Sequence, residues 1–304
     1  VVEDPALTAV LDRVPQLAGP RHVVDLAGGL TNRNLRVRPA AGGDWVVRLS
    51  AASSGVLAID RDAEHANTQA AHTAGVGPPV LARLSAPDTL VVGFLPGRTL
   101  TATDVADPAL APRLAGALRR LHAGPAFVGE FDMRTIRRRY LGVVADLGVA
   151  LPAGYAALGE RVEALEAALD AVPEPRVPCN NDLLAANFLD DGEQIWIIDY
   201  EYAGMNEASF ELGNMAAESA LDVEATTALV DAYWGRHSDH RLARAQAWAL
   251  LAHYGWTLWA VIQSAVSPID FDFLAWGMAK FDTAAAALRS DGYPRLLARL
   301  GGED

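Results

Sequence analysis

Three side chains in two short stretches carry the first chemical signal. Asp182-Leu183-Leu184-Ala185-Ala186-Asn187 is an acid, four spacers and an amide, and twelve residues after its last member comes Asp199, in Ile197-Ile198-Asp199-Tyr200-Glu201. Phosphoryl transfer from a nucleotide asks for this set: a carboxylate to orient a hydroxyl, here Asp182, and an amide oxygen with a second carboxylate, Asn187 and Asp199, to hold Mg²⁺. Alone, the acid–amide spacing also fits an Asx turn and a helix cap. It gains weight from the apolar run Ile195-Trp196-Ile197-Ile198, which reads as the strand that delivers Asp199.

Such a centre needs elements that cover the phosphates and hold a cation near them. Gly28-Gly29-Leu30-Thr31-Asn32 lies between two strand-like segments, where backbone amides can cradle a phosphate, or where a plain hairpin turn can sit. Arg48, in Trp45-Val46-Val47-Arg48-Leu49, offers a fixed cation unless its strand end faces solvent. Glu64, on a helix expected over 58–74, is the partner that would hold Arg48 through a bidentate contact. Strands are expected at 23–26, 35–38, 45–49, 80–84 and 89–94, and the chain breaks at Leu95-Pro96-Gly97-Arg98. Helix-like composition follows at 108–122, 155–171, 208–220, 224–235, 241–265 and 271–290. The expected fold class is α+β with two lobes: a small β-rich lobe over 1–95 that binds nucleotide, and a helical lobe over 96–304 that holds the catalytic and acceptor residues. ATP would sit at the hinge near 93–98.

An aromatic cluster suggests the acceptor. Eight of the chain's 22 aromatic residues fall between Trp248 and Phe281. Trp256 and Trp259 are three apart and so share a helix face. Such a stripe is commonly core. It can also form a cage for a quaternary ammonium, where a well-placed ring contributes about 0.5–2 kcal/mol through cation–π attraction. Asp270, Asp272, Glu201 and Tyr202 are candidates to add negative potential.

Composition fits a globular enzyme. The chain has 304 residues, 51% hydrophobic and 21% charged, enough for a large core. Its net charge of −13 argues against nucleic-acid binding and would suit a cationic substrate, although solubility explains it equally well. A single cysteine, Cys179, rules out an internal disulfide and fits a cytoplasmic setting. No apolar run is long enough to cross a bilayer.

Taken together, these motifs resemble the choline/ethanolamine kinase branch of the aminoglycoside-phosphotransferase-like families, which share a protein-kinase-like fold. The likeness runs from about residue 24 to 282. Residues 28–32 look like the family's phosphate loop, Val46–Leu49 like the strand on which this branch carries arginine, and Ile59–Glu64 like its paired-glutamate helix. Cys179–Asn187 looks like the catalytic loop, and Ile198–Tyr202 with Phe210–Asn214 like the metal loop and its extension. The resemblance implies that Trp256, Trp259, Trp276 and Tyr202 line a cation site, with Glu201 serving either a second metal or the substrate. It also shows departures. Asn180 stands where the family has a histidine that props the loop, Leu184 replaces a polar residue, and Trp276 replaces a tyrosine. The expected activity is ATP- and Mg²⁺-dependent phosphorylation of a small amino alcohol, foremost choline. Ethanolamine, thiamine and aminoglycosides are the alternative acceptors, and a non-catalytic nucleotide-binding pseudokinase is the alternative from another class.

Overall fold

The computed structural model describes residues 5–26, 32–50, 57 and 59–302. Of the expected phosphate loop, Gly28, Gly29, Leu30 and Thr31 lie outside the described residues, and Asn32 lies within them.

The first third is a five-stranded antiparallel sheet with two helices. Helix α1 (Pro5–Leu11) precedes β1 (Arg21–Leu26), β2 (Asn32–Pro39) and β3 (Trp45–Ser50); α2 (Arg61–Thr73) then leads to β4 (Val80–Ser85) and β5 (Asp88–Gly93). The strand order is β1-β2-β3-β5-β4. Strand alternation sorts the two faces. Leu35, Val37, Val47 and Val91 pack with Leu7, Leu11, Val14 and Leu17 into a small core. The intervening positions Asn34, Val46, Arg48, Leu90 and Val92 turn the other way and line a cavity. Register aligns them across the sheet, with Asn34 opposite Arg48, Arg48 opposite Leu90 and Val46 opposite Val92. Arg48 therefore faces the cavity rather than bulk solvent.

The remainder is helical around two small β-elements. In chain order it comprises β6 (Arg98–Thr99), α3 (Ala102–Val105), α4 (Ala111–His122), α5 (Met133–Leu147), α6 (Gly159–Asp170), β7 (Arg176–Cys179), β8 (Phe188–Asp190), β9 (Ile195–Ile197), β10 (Gly204–Glu207), α7 (Ala208–Glu218), α8 (Val223–Trp234), α9 (Asp239–Val266), α10 (Phe273–Arg289) and α11 (Gly292–Leu300). The strand expected in the run 195–198 is present as β9: β8 pairs antiparallel with it, and β6 joins the edge of that hairpin. Helix α9 is buried nearly all round, so it reads apolar on every face and forms the axis of the larger core. Small residues let its neighbours approach. A Cβ on Gly213 of α7 would lie 2.8 Å from the Ala249 nitrogen, and one on Gly277 of α10 would meet the Ala260 methyl.

The sequence reading gave no helix at α5. Its buried face runs Met133, Arg137, Tyr140, Val144, so a cation interrupts the apolar stripe on which helix recognition depends. That arginine is paired at 3.0 Å with Glu166 of α6. The helix is held by an Asp132 cap, which accepts from the Arg134 N–H, and ends at Gly148 in the left-handed region.

Candidate active site

The loop between β7 and β8 is held from below by α7. Glu211 accepts the backbone N–H groups of Asn180 at 2.7 Å and Asn181 at 2.8 Å. Beneath it, His122 Nε2 lies 3.8 Å from both Glu211 and the Cys179 sulfur, while His122 Nδ1 meets the Tyr233 hydroxyl at 2.6 Å. Both Glu211 oxygens are thus occupied by the loop, and this buried group acts as its footing. Asn181 takes a left-handed φ of 66°, a region that asparagine tolerates, and its amide donates to the Tyr202 carbonyl at 3.0 Å. Asn180, at the histidine position, donates through Nδ2 to the Asp199 carbonyl at 2.7 Å and accepts from the Asp182 N–H at 3.0 Å. It therefore ties the Asp182 loop to the Asp199 segment. The Asn187 amide donates to the Asp182 carbonyl at 2.7 Å, which leaves its oxygen as the side chain's acceptor.

The β8–β9 hairpin ends just before Asp199, whose φ of 63° is likewise left-handed. Arg48 bridges Glu64 of α2 and Asp199, the latter at 2.5 Å. Sequence reasoning paired Arg48 with Glu64, and the two side chains are in contact. A second arginine, Arg61, had no expected role. It bonds Glu64 at 2.7 Å, Glu201 at 3.1 Å and the Asn32 oxygen at 3.1 Å, and Asn32 donates to Glu201 at 2.9 Å. Burial pulls the Arg61 pKa down, against the raising effect of Glu201.

Two cavities meet here. One, of about 420 Å³, lies under the sheet and reaches from Leu26 and Val46 past Phe94 and Gly97 to Asn187 and Asp199. The other, of about 280 Å³, is lined by Asp182, Leu184, Glu201, Tyr202, Glu218, Trp256, Trp259 and Trp276. Ala186, Asn187 and Asp199 belong to both walls. The neutral oxygen of Asn187 and the anionic ones of Asp199 form a donor set suited to a hard divalent cation.

All the aromatic residues expected to line a cation site face the smaller cavity. Their edges are tied down: the Trp256 indole donates to the Asn214 oxygen at 2.8 Å, and the Trp259 indole to the Tyr202 hydroxyl at 3.0 Å. Tyr202 stands at 70° to Trp256, and Trp259 at 65° to Trp276, so the rings form a box instead of a stack. Burial pushes the Tyr202 phenol well up, keeping it neutral. Burial also pushes the Asp182 carboxyl well above its ordinary value, with further contributions from Glu218, Asp199 and Glu201, opposed by Lys280.

Two expectations need correcting. Asp270 and Asp272 add nothing to the cavity wall: both are exposed, and Asp272 caps α10 by accepting from the Ala275 N–H. The cavity's additional acid is Glu218, which the sequence did not flag because it lies at the end of an alanine-rich helix with no motif around it. Several clustered aromatics are core. Trp248 donates to Glu207, and Tyr254 stacks on Tyr155 with ring centres 4.0 Å apart.

Residues 22–253 match the phosphotransferase enzyme family. A choline/ethanolamine kinase family protein from Mesorhizobium loti is 30% identical, with a TM-score of 0.82, covering 97% of this chain and 98% of that one. A choline kinase from Streptococcus pneumoniae has the same fold, at 20% identity and a TM-score of 0.78, over 97% of this chain and 99% of its own. Rat ethanolamine kinase 2 is 28% identical over 257 residues, 74% of this chain and 65% of that protein, so the match spans just under two thirds of that relative's length.

Proposed function

Because this chain belongs to the phosphotransferase enzyme family and, within it, to the choline/ethanolamine kinases, with their α+β protein-kinase-like fold, we propose that it transfers the γ-phosphoryl group of ATP to the hydroxyl of choline. The observation that carries the reading is the meeting of the two cavities at Asn187 and Asp199. A nucleotide in the larger cavity, in the lobe that ends near residue 95, and a small cationic alcohol in the smaller one would face each other across that shared wall. Asp182 would accept the hydrogen bond of the attacking hydroxyl. As the new P–O bond forms and the bond to the nucleoside diphosphate breaks, the proton passes toward its carboxylate. A raised pKa suits that task, since the carboxylate is a stronger base than an exposed one. Asn187 and Asp199 would hold Mg²⁺, which supplies charge neutralisation at the phosphates. Arg48, kept in place by Glu64, would contact the phosphates, together with backbone of residues 28–32. Trp256, Trp259, Trp276 and Tyr202 would receive the ammonium group.

Ethanolamine is the second reading, favoured by Glu201 and Glu218 on the cavity wall, which are acceptors of the kind a primary ammonium needs. A coupled ADP-release assay with ATP, Mg²⁺ and each alcohol tests the assignment. Choline-dependent turnover is expected, and Asp182→Ala or Asp199→Ala should abolish it while the protein stays folded. Unimpaired turnover in either variant would sink the residue assignment.

A further inference from the structure

Four carboxylates line the smaller cavity, and the two not assigned above to the hydroxyl or the metal, Glu201 and Glu218, are already engaged. Glu201 Oε2 accepts from Asn32 at 2.9 Å and from Arg61 at 3.1 Å. Both oxygens of Glu218 accept from the Lys280 ammonium, each at 2.8 Å. Lys280 reaches from α10 and is buried, and its nitrogen lies 4.2 Å from the centre of the Trp276 ring. Trp276 and Glu218 line the smaller cavity, and Lys280, in contact with both, is not on its wall.

We propose that Lys280 sets the acceptor specificity of this site, tuning it toward a quaternary ammonium by engaging both oxygens of Glu218. The inference rests on the amino-alcohol reading above. A primary ammonium entering the cavity brings three N–H donors that must replace their water partners. With Glu218 held by Lys280, each of its oxygens already accepts one buried donor, so that acid has fewer acceptor sites to offer an incoming N–H. A trimethylammonium has no N–H to satisfy and is attracted by the ring faces alone. Lys280 touches no substrate and acts through Glu218, so it is a positioning residue. Both alcohols carry the same charge. Losing the lysine charge therefore strengthens attraction for both alike, and the ratio of their efficiencies isolates the hydrogen-bonding effect.

The test is kcat/KM for choline and for ethanolamine in the full chain and its variants. The wild-type protein should favour choline. Lys280→Met frees Glu218 and should raise the ethanolamine-to-choline ratio about tenfold, the worth of one or two recovered hydrogen bonds. Lys280→Gln, closer in length and still able to occupy one oxygen, should move the ratio the same way by less, and it serves if the methionine variant does not fold. Lys280→Arg keeps the pair and should restore the wild-type ratio. A ratio unmoved in the Met or Gln variant while choline is still phosphorylated overturns the proposal, as does a wild-type preference for ethanolamine. A wild-type protein that phosphorylates neither alcohol overturns the underlying reading and this proposal with it.

Discussion

Asp182 is held in a setting that resists its ionisation, and that has a measurable cost. Burial and the neighbouring acids raise its pKa in the folded protein, whereas the unfolded chain leaves it ordinary. Between those two values the folded state binds this proton more tightly, so the contribution of Asp182 to stability is greatest at low pH and falls as pH rises through the window. Asp182→Asn removes this dependence. It should melt higher than the wild-type protein at neutral pH, with the advantage shrinking as pH is lowered toward the ordinary carboxylate range, and it should lose about 10²–10⁴-fold in kcat. A variant that melts lower at neutral pH would show that the carboxylate is stabilising and that its environment has been misread. Residues of this kind stand out in a sequence because the proposed chemistry restricts their type: it asks for an acid at 182 and for oxygen donors at 187 and 199. Asn180 was legible only as a departure. Its amide supports Asp199 and Asp182 together, a role seen once both chain segments are in place.

Helix α7 connects the site to the core. Glu211, Asn214 and Glu218, spaced three and four apart, occupy one face; they carry the catalytic loop, the Trp256 indole and the Lys280 ammonium respectively. Gly213 faces the other way, against α9, where a methyl would press on the backbone at Ala245 and Ala249. Gly213→Ala should therefore destabilise the protein, because overpacking costs about 1–3 kcal/mol and outweighs the roughly 1 kcal/mol of helix propensity gained. Since the helix holds the loop through Glu211, kcat should fall as well. Chemical denaturation and steady-state kinetics on the same sample check both effects, and a neutral or stabilising result would mean that α7 can shift on α9 without disturbing the loop. The sequence showed a helix over 208–220 but not its roles. Glu211, Asn214 and Glu218 recur at helical spacing, but residues 208–217 are all buried, so the stripe that would ordinarily mark a solvent-facing side instead meets buried partners that only the fold reveals.

At the scale of the whole molecule, residues from Leu26 to Trp276 converge on two cavities that share one wall. Motif order along the chain could suggest that convergence, while the register that turns Arg48 into the cavity and the Arg61 links from α2 to Glu201 arise only from tertiary pairing. A shared wall has a thermodynamic consequence. A ligand that binds only the folded protein stabilises it by about 2.7 kcal/mol at a hundredfold excess over its Kd, so ATP should raise the melting temperature. Magnesium should add a further rise that depends on the donors at the junction. Asp199→Ala should retain a response to nucleotide alone and lose the increment from magnesium. Asp182→Ala, altered on the acceptor side of the wall, should keep both. Equal magnesium increments in the two variants would move the metal away from Asp199 and leave the junction of the cavities without its proposed ion.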